Sequence, residues 1–215
     1  MGYLTYGIHL APASLSGFNV CKDASAGCAA ACLNTAGMGV FSNVQKARIE
    51  KTKLFFKDKI GFMGKLVREI IAAIKSAEKK ELKAVFRLNL TSDLPWEKIK
   101  VQGVNIFDMF PQITFYDYTK SPERMTAFLA GDMPKNYHLT FSRSETNGAI
   151  AESILKSGGN VAMVFRKSLP VQYLGASVVN GDETDLRFLD GAGKIIGLVE
   201  KGKAKKDESG FVIEH

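Results

Sequence analysis

Three cysteines lie within twelve residues of this 215-residue chain, and the rest of the sequence contains no other cysteine. Six residues separate Cys21 from Cys28, and three separate Cys28 from Cys32. Three thiols cannot all pair into disulfides, and soft thiolates suit zinc or an iron–sulfur cluster rather than calcium or magnesium. The spacing therefore predicts a loop that binds a metal ion or a cluster.

The same spacing favours an iron–sulfur cluster over zinc. Structural zinc sites normally combine two closely spaced pairs of ligands, and this sequence does not follow that pattern. Three thiolates would hold three irons of a [4Fe–4S] cluster and leave the fourth iron open for chemistry. If the run AGCAAACL begins a helix, Cys28 and Cys32 lie at positions i and i+4 on one helical face.

Other kinds of site stay open at this stage. Free cysteine packs well, so all three cysteines could be small buried residues of an alanine-rich stretch. Zinc could instead bind the three thiolates with His9 as its fourth ligand. An acidic turn is a further candidate, because clustered carboxylates bind magnesium or manganese in hydrolytic enzymes. Its residues are Asp182, Glu183 and Asp185.

The elements that would position the cysteines follow a repeating order. A first strand is predicted at residues 4–10, directly before the cysteine loop at residues 17–42. Runs rich in Val, Phe, Tyr and Thr predict further strands at 83–90, 112–119, 137–144 and 160–167. Helical patterns lie between them, at 43–57 after an N-cap at Ser42, at 60–79, after Ser121-Pro122 and in 145–159.

This order predicts an α/β fold, either a partial (β/α) barrel or an open parallel sheet with outer helices. A complete eight-stranded barrel typically needs about 250 residues, more than this chain has. We expect a single domain over residues 1–215. Its βα units would occupy residues 43–175, and a hairpin-like segment with several glycines would occupy residues 176–215.

Polar residues follow the predicted strands at the edge where parallel α/β proteins carry their functional sites. Carboxylates there could contact amine or ribose groups, and basic side chains could contact carboxylate or phosphate groups. The candidate binding residues are Asp93, Asp117, Arg143, Arg166 and Lys167. Aromatic residues of the strands could stack on bases, although strand alternation favours a place in the core. These aromatics are Phe115, Tyr116, Tyr118 and Phe141.

Composition limits the partners of the chain. Hydrophobic residues make up 46% and charged residues 24%, and no apolar run approaches the roughly 20 residues of a membrane span. The net charge of +7 favours nucleic acid, nucleotides or phosphorylated small molecules as partners. We therefore expect a small-molecule substrate or nucleic acid and no membrane. The reduced thiols and the absence of a signal peptide predict a cytoplasmic protein. Nothing in the composition sets the oligomeric state.

Several of these motifs carry a family resemblance. The order of strand, three-cysteine loop and βα units resembles radical S-adenosylmethionine (SAM) enzymes, although most of those have C-x3-C-x2-C spacing. The whole chain more closely resembles the phage gene-product-88 family, which implies a protein in the cytoplasm of an infected host cell. The matching runs are CKDASAGCAAACLN, FRLNLTSDLPWEKI, FPQITFYDYTKSPERM, YHLTFSRSE and VVNGDETDLRFLD.

The radical SAM resemblance implies a function. It implies a [4Fe–4S] cluster on Cys21, Cys28 and Cys32, with SAM as the ligand of the open iron. Asp93 occupies about the place at which such enzymes receive the methionyl amine. The alternative from another class is a non-catalytic protein whose cluster serves a redox or structural role and whose basic surface binds nucleic acid.

Overall fold

The computed structural model describes residues 2–215 and shows a mixed α/β fold in which helices flank a mostly parallel sheet. Within these residues the strands close no barrel, and this confirms the open form of the predicted α/β architecture. Contacts divide the chain into two compact units. The first comprises the chain up to Lys22, Gly37–Asp117 and Pro134–Tyr137, and the second comprises Asp23–Ala36, Tyr118–Met133 and His138–His215.

The elements are numbered in chain order. The strands are β1 (Tyr3–Gly7), β2 (Lys83–Arg87), β3 (Lys100–Val101), β4 (Val104–Asn105), β5 (Thr114–Thr119), β6 (Tyr137–Ser142), β7 (Val161–Phe165), β8 (Gln172–Tyr173), β9 (Ala176–Asn180), β10 (Ile195–Val199) and β11 (Val212–Ile213). The α-helices are α1 (Ala13–Ser16), α2 (Ala26–Ala30), α3 (Ser42–Lys57), α4 (Lys59–Glu78), α5 (Ile106–Met109), α6 (Pro122–Ala130) and α7 (Gly148–Lys156). All of the predicted long helices and strands are therefore present, with ends shifted by a few residues.

In the first unit, β1, β2 and β5 are adjacent parallel strands, and β3 pairs with β4 in a small antiparallel ribbon. Helix α4 buries one face, because its apolar residues recur every three or four positions. These buried residues are Phe62, Met63, Leu66, Ile70, Ala73 and Ala77. Asp58 caps this helix by accepting a hydrogen bond from the Gly61 N–H at 2.9 Å.

The start of helix α3 differs slightly from the prediction. Ser42 is its first residue, and Phe41 occupies the N-cap position without a side-chain hydrogen bond. The predicted cap at Ser121 is confirmed, because its hydroxyl accepts a hydrogen bond from Arg124 N–H at the start of α6. Proline follows it at the first helical position, where its missing N–H costs nothing.

In the second unit the strand order is β6, β7, β10, β9 and β8, with β11 also beside β7. Residues 176–215 do not form the predicted hairpin, since β9 and β10 pair in parallel. The long connection between them leaves room for the crossover that parallel strands require. The antiparallel pair of this region is β8 with β9 instead.

The aromatic side chains that were candidates for base stacking lie mostly in the interior. Phe115, Tyr116 and Phe141 are fully buried. A buried ring cannot stack on a base without unfolding the strand that carries it, so these three residues belong to the core. None of the helices among residues 2–215 combines the length and hydrophobicity that a membrane crossing requires.

Candidate cysteine site

Cys21 belongs to the first unit and lies beside the loop that follows β2. The Asp93 N–H donates to the carbonyl of Val20 at 2.8 Å, directly before the cysteine. The Cys21 N–H donates to Asn19 Oδ1 at 2.9 Å, and its Sγ is 3.9 Å from the carbonyl oxygen of Thr91. The polar motif after β2 therefore fixes the first end of the cysteine segment at the carboxyl end of that strand.

Thr91 also ties this loop to the segment after β1. Its hydroxyl donates to the Leu10 carbonyl at 2.7 Å and accepts from the Leu10 N–H at 3.0 Å. The Ala11 N–H then donates to the hydroxyl of Thr52 on α3 at 2.8 Å. These bonds hold the end of β1 between the end of β2 and the helix.

Asn89 organises the loop that contains Thr91 and Asp93. Its buried Oδ1 accepts from three donors, which are the Ser92 hydroxyl at 2.8 Å, the Leu94 N–H at 3.0 Å and Trp96 Nε1 at 3.1 Å. Its Nδ2 donates to the Leu94 carbonyl at 3.0 Å. One buried side chain thus closes the whole turn.

Asp117 completes this network and is itself fully buried. Its carboxylate accepts from the Asn89 N–H at 2.7 Å, from Asn89 Nδ2 at 3.3 Å and from the Tyr137 hydroxyl at 2.9 Å. Buried carboxylates require such partners because an isolated one is costly to desolvate. The predicted ligand-binding residue Asp117 is therefore engaged in holding strand ends together.

The second unit carries Cys28 on the short helix α2. Ser25 caps this helix and accepts a hydrogen bond from the Cys28 N–H at 3.2 Å. Glu145, which follows β6, accepts from the Ser25 hydroxyl and from the Gly27 N–H, each at 2.7 Å. Although burial opposes ionisation, the hydrogen bonds from Ser25 and Gly27 hold the pKa of Glu145 below its usual range. The carboxylate is thus an ionised anchor for the start of the helix.

Close packing reinforces this anchor. A Cβ at Gly27 would meet the Ser209 hydroxyl and the Glu145 carboxylate at distances shorter than van der Waals contact. The Cys28 side chain packs against a small apolar cluster between α2 and the C-terminal segment. The cluster consists of Ala31, Ala204, Phe211 and Val212. Cys28 therefore rests on residues that come much later in the chain.

Two of the predicted binding residues hold that C-terminal segment. The Arg143 guanidinium donates to the carbonyls of Gly210 and Phe211, the latter at 3.0 Å. Arg166 donates to the carbonyl of Lys205 at 3.0 Å and to that of Asp207 at 2.6 Å. The guanidinium groups thus satisfy backbone oxygens of an irregular segment.

Other polar groups at the end of β7 also make contacts within the protein. Arg166 also forms an ion pair with Glu214 at 2.8 Å, and this hydrogen bond raises its pKa. Lys167 has a left-handed backbone conformation, and its backbone N–H donates to the Glu200 carboxylate at 2.7 Å. The residue itself is exposed. Three residues predicted to bind a ligand thus have backbone or side-chain contacts that fasten the end of the chain.

Cys32 does not share a helical face with Cys28. Helix α2 has only five residues and ends at Ala30, and Cys32 follows with extended backbone angles of φ −54° and ψ 129°. The predicted i and i+4 arrangement is therefore wrong. Across residues 2–215, no three side chains of His, Cys, Asp or Glu are grouped so that they could hold a metal ion. The three cysteines are half-buried and none is in a disulfide, but they do not form a ready-made ligand set.

The other sequence candidates for metal binding have different surroundings. Asp182 pairs with Lys201 at 2.6 Å and accepts from the Val199 N–H at 3.0 Å, so one of the three carboxylates of the acidic turn is already bound within the protein. His9 lies among basic side chains, and burial together with these charges lowers its pKa to about 4. A positive environment of this kind disfavours a zinc ion at His9.

Comparison with known proteins supplies a family. A family model described as gene product 88 matches residues 2–215. The chain belongs to the gene product 88 family. No curated protein and no solved structure matched the chain. The gene product 88 match includes the cysteine segment and supports the expectation of a bacteriophage protein.

Glu145 and Asn89 have structural roles in this gene product 88 protein that the sequence did not predict. Each residue nevertheless has a local sequence signal. Glu145 directly follows the polar run at the end of β6, and Ser25, its partner, stands three residues before Cys28 where helix caps occur. Asn89 lies two residues beyond the end of strand β2 and shortly before a Thr-Ser-Asp run that favours turns.

We expect Glu145→Ala to increase the alkylation rate of Cys28 about tenfold, because the start of α2 loses two hydrogen bonds to a charged group. Mass spectrometry of iodoacetamide-treated protein measures the rate at each cysteine. Glu152→Ala on α7 is the control, since it removes a carboxylate elsewhere in the same unit. An unchanged Cys28 rate in Glu145→Ala would show that the carboxylate does not anchor the helix.

Proposed function

We propose that this protein is an iron–sulfur protein in which Cys21, Cys28 and Cys32 hold a [4Fe–4S] cluster with one open iron. The observation that carries the proposal is the confinement of all three cysteines to residues 21–32, where none of them is in a disulfide and each is half-buried. A cysteine thiolate can bind a metal only if it is not in a disulfide and the metal can reach it. The family match covers this segment and names no reaction.

The arrangement of the thiols does not fit a cluster without adjustment, because no group of three metal-binding side chains is present within residues 2–215. Assembly therefore requires the cysteine segment to change conformation. Its contacts indicate which part can do so. Residues 22–24 are exposed and outside any helix or strand, and they link the contacts made by Cys21 to the cap at Ser25. Cys32 likewise lies beyond the end of α2.

The proposal includes SAM as the ligand of the open iron, as the resemblance to radical SAM enzymes implies. Such a cluster would supply an electron to its ligand, and the chain would orient the ligand and exclude water. Asp93 supports this part, because its N–H is bonded to Val20 and its backbone therefore lies beside the Cys21 segment. Its carboxylate would accept hydrogen bonds from the amine of the ligand.

The test is the EPR spectrum of the reduced protein, purified without oxygen and reconstituted with iron and sulfide, before and after addition of SAM. A [4Fe–4S]⁺ signal that changes with SAM is the expected result. An unchanged signal would support the non-catalytic alternative, and salt-dependent binding to DNA or RNA would then be measured. Absence of any cluster would contradict the proposal as a whole.

A further inference from the structure

Strand β1 lies at the edge of the sheet in the first unit. It pairs with β2 on one side, and no other strand within residues 2–215 pairs with its opposite side. The Ile8 N–H donates to the Arg87 carbonyl at 3.1 Å, so the backbone groups of Ile8 face β2. These groups alternate in direction along a strand, and those of Thr5 and Gly7 therefore point away from β2. Both residues are exposed. We call this side of the strand the open edge of β1.

The open edge lacks the features that usually protect the edges of sheets. Exposed edges are typically short, or carry charged residues or proline, because unpaired N–H and C=O groups can pair with another chain. Strand β8, which ends the strand order of the second unit, has only two residues. Strand β1 has five, and the chain contains no charged residue before Lys22 and no proline before Pro12. Another strand can therefore join β1.

The sequence of β1 is self-complementary about Thr5. In an antiparallel pair of β1 strands related by a two-fold axis at Thr5, Leu4 of one copy lies opposite Tyr6 of the other. These two side chains are half-buried in a single copy, and apolar pairs of this kind stabilise a sheet across neighbouring strands. Tyr3 lies opposite Gly7 in the same register. An aromatic side chain at that position covers the space that the glycine leaves open.

We propose that β1 pairs with β1 of a second copy of this chain, so that the sheets of two first units join across a two-fold axis at Thr5. The Thr5 N–H of each copy donates to the Thr5 carbonyl of the other. The contact is isologous, and it closes the open edge of both copies at once.

Charge also favours a second copy as the partner. The chain has a net charge of +7, so two copies repel each other wherever their basic side chains meet. Strand β1 contains no charged side chain, and its pairing places no like charges opposite each other. The cysteines take no part in this contact, and the proposal does not depend on a cluster.

The test is sedimentation velocity of the full chain without iron reconstitution, at concentrations of about 5–500 µM, because a strand pair is smaller than a standard interface and should associate in the micromolar range. The mass should rise with concentration towards twice the 23.5 kDa of one chain. A monomer at every concentration would overturn the proposal and leave the open edge to a strand of another protein.

Thr5→Pro tests the hydrogen bonds of the pair. Proline lacks an N–H, but the Thr5 N–H points away from β2, so a single copy should keep its fold and its circular dichroism spectrum. The dimer loses the two central hydrogen bonds, and its dissociation constant should rise at least about tenfold. A dimer of unchanged affinity would overturn the proposal, since it would have formed through another surface.

A charge exchange tests the two-fold axis. Thr5→Lys and Thr5→Glu each place like charges opposite each other, and each should raise the dissociation constant at least about tenfold. An equimolar mixture of the two should associate within about threefold of the wild-type affinity, because opposite charges then meet. The control is Thr126→Lys, at an exposed position of α6. Equal weakening by Thr126→Lys, or a mixture that stays dissociated, would overturn the proposal.

Discussion

Replacement of Asn89 by alanine is expected to lower the free energy of unfolding by about 4 kcal/mol. The alanine variant would leave three buried donors without an acceptor, on Ser92, Leu94 and Trp96. It would also remove a donor from the Asp117 carboxylate. Each unpaired buried group costs about 1–3 kcal/mol, partly reduced where the turn relaxes or water enters. Urea denaturation followed by circular dichroism measures the change.

Two further variants identify the source of that loss. Ser92→Ala removes only one of the hydrogen bonds to Asn89 and should cost about 1 kcal/mol. Asn43→Ala removes an exposed amide from the first turn of α3 and should change the stability by less than about 0.5 kcal/mol. A loss below about 1 kcal/mol for Asn89→Ala would mean that the network is solvated and does not hold the turn.

The second large effect concerns iron. We expect Cys28→Ser to reduce the iron retained after anaerobic reconstitution and gel filtration to less than about one-tenth of the wild-type amount, because a hydroxyl is a poor ligand for cluster iron. The wild-type protein should retain about four irons and four sulfides per chain. Cys21→Ser and Cys32→Ser should have the same effect, since a cluster held by three thiolates needs each of them.

Ala30→Ser is the control for the iron experiment, because it places a serine at an exposed position of the same helix without removing a thiol. It should retain iron as the wild-type protein does. If wild-type protein and the triple cysteine variant retain equal iron, the bound metal is adventitious and the cluster proposal fails. Stoichiometric zinc in place of iron would support the zinc alternative, and the fourth zinc ligand would then have to be identified.

The helices and strands could be predicted because their patterns are local. Strand β7 is a run of apolar residues that is buried almost throughout, and such a run is typical of a central parallel strand. Helix α4 has the period of an amphipathic helix over twenty residues. Helix α2, with five residues, is too short to show a period, so its end before Cys32 could not be deduced from spacing.

The contacts of the candidate site could not be predicted to the same degree. The position of Arg166 after a strand suggested ligand binding, but the partners of its guanidinium lie 39–48 residues further along the chain. Asp117 was predicted from the same rule, and its carboxylate joins residues 20 and 28 positions away. A polar residue at a strand end has the same sequence signature whether it binds a ligand or another part of the chain.

Cys28 packs against residues that come late in the sequence, so its surroundings are completed only near the end of synthesis. The apolar cluster beneath the cysteine includes Ala204, Phe211 and Val212. A ribosome adds Val212 about 180 residues after Cys28, which takes roughly 10–40 s at ordinary elongation rates. Throughout that interval the cluster beneath the thiol is incomplete in the nascent chain. Iron delivery to this segment would therefore be easiest before translation ends. The thiol would also be most open to oxidation during that time.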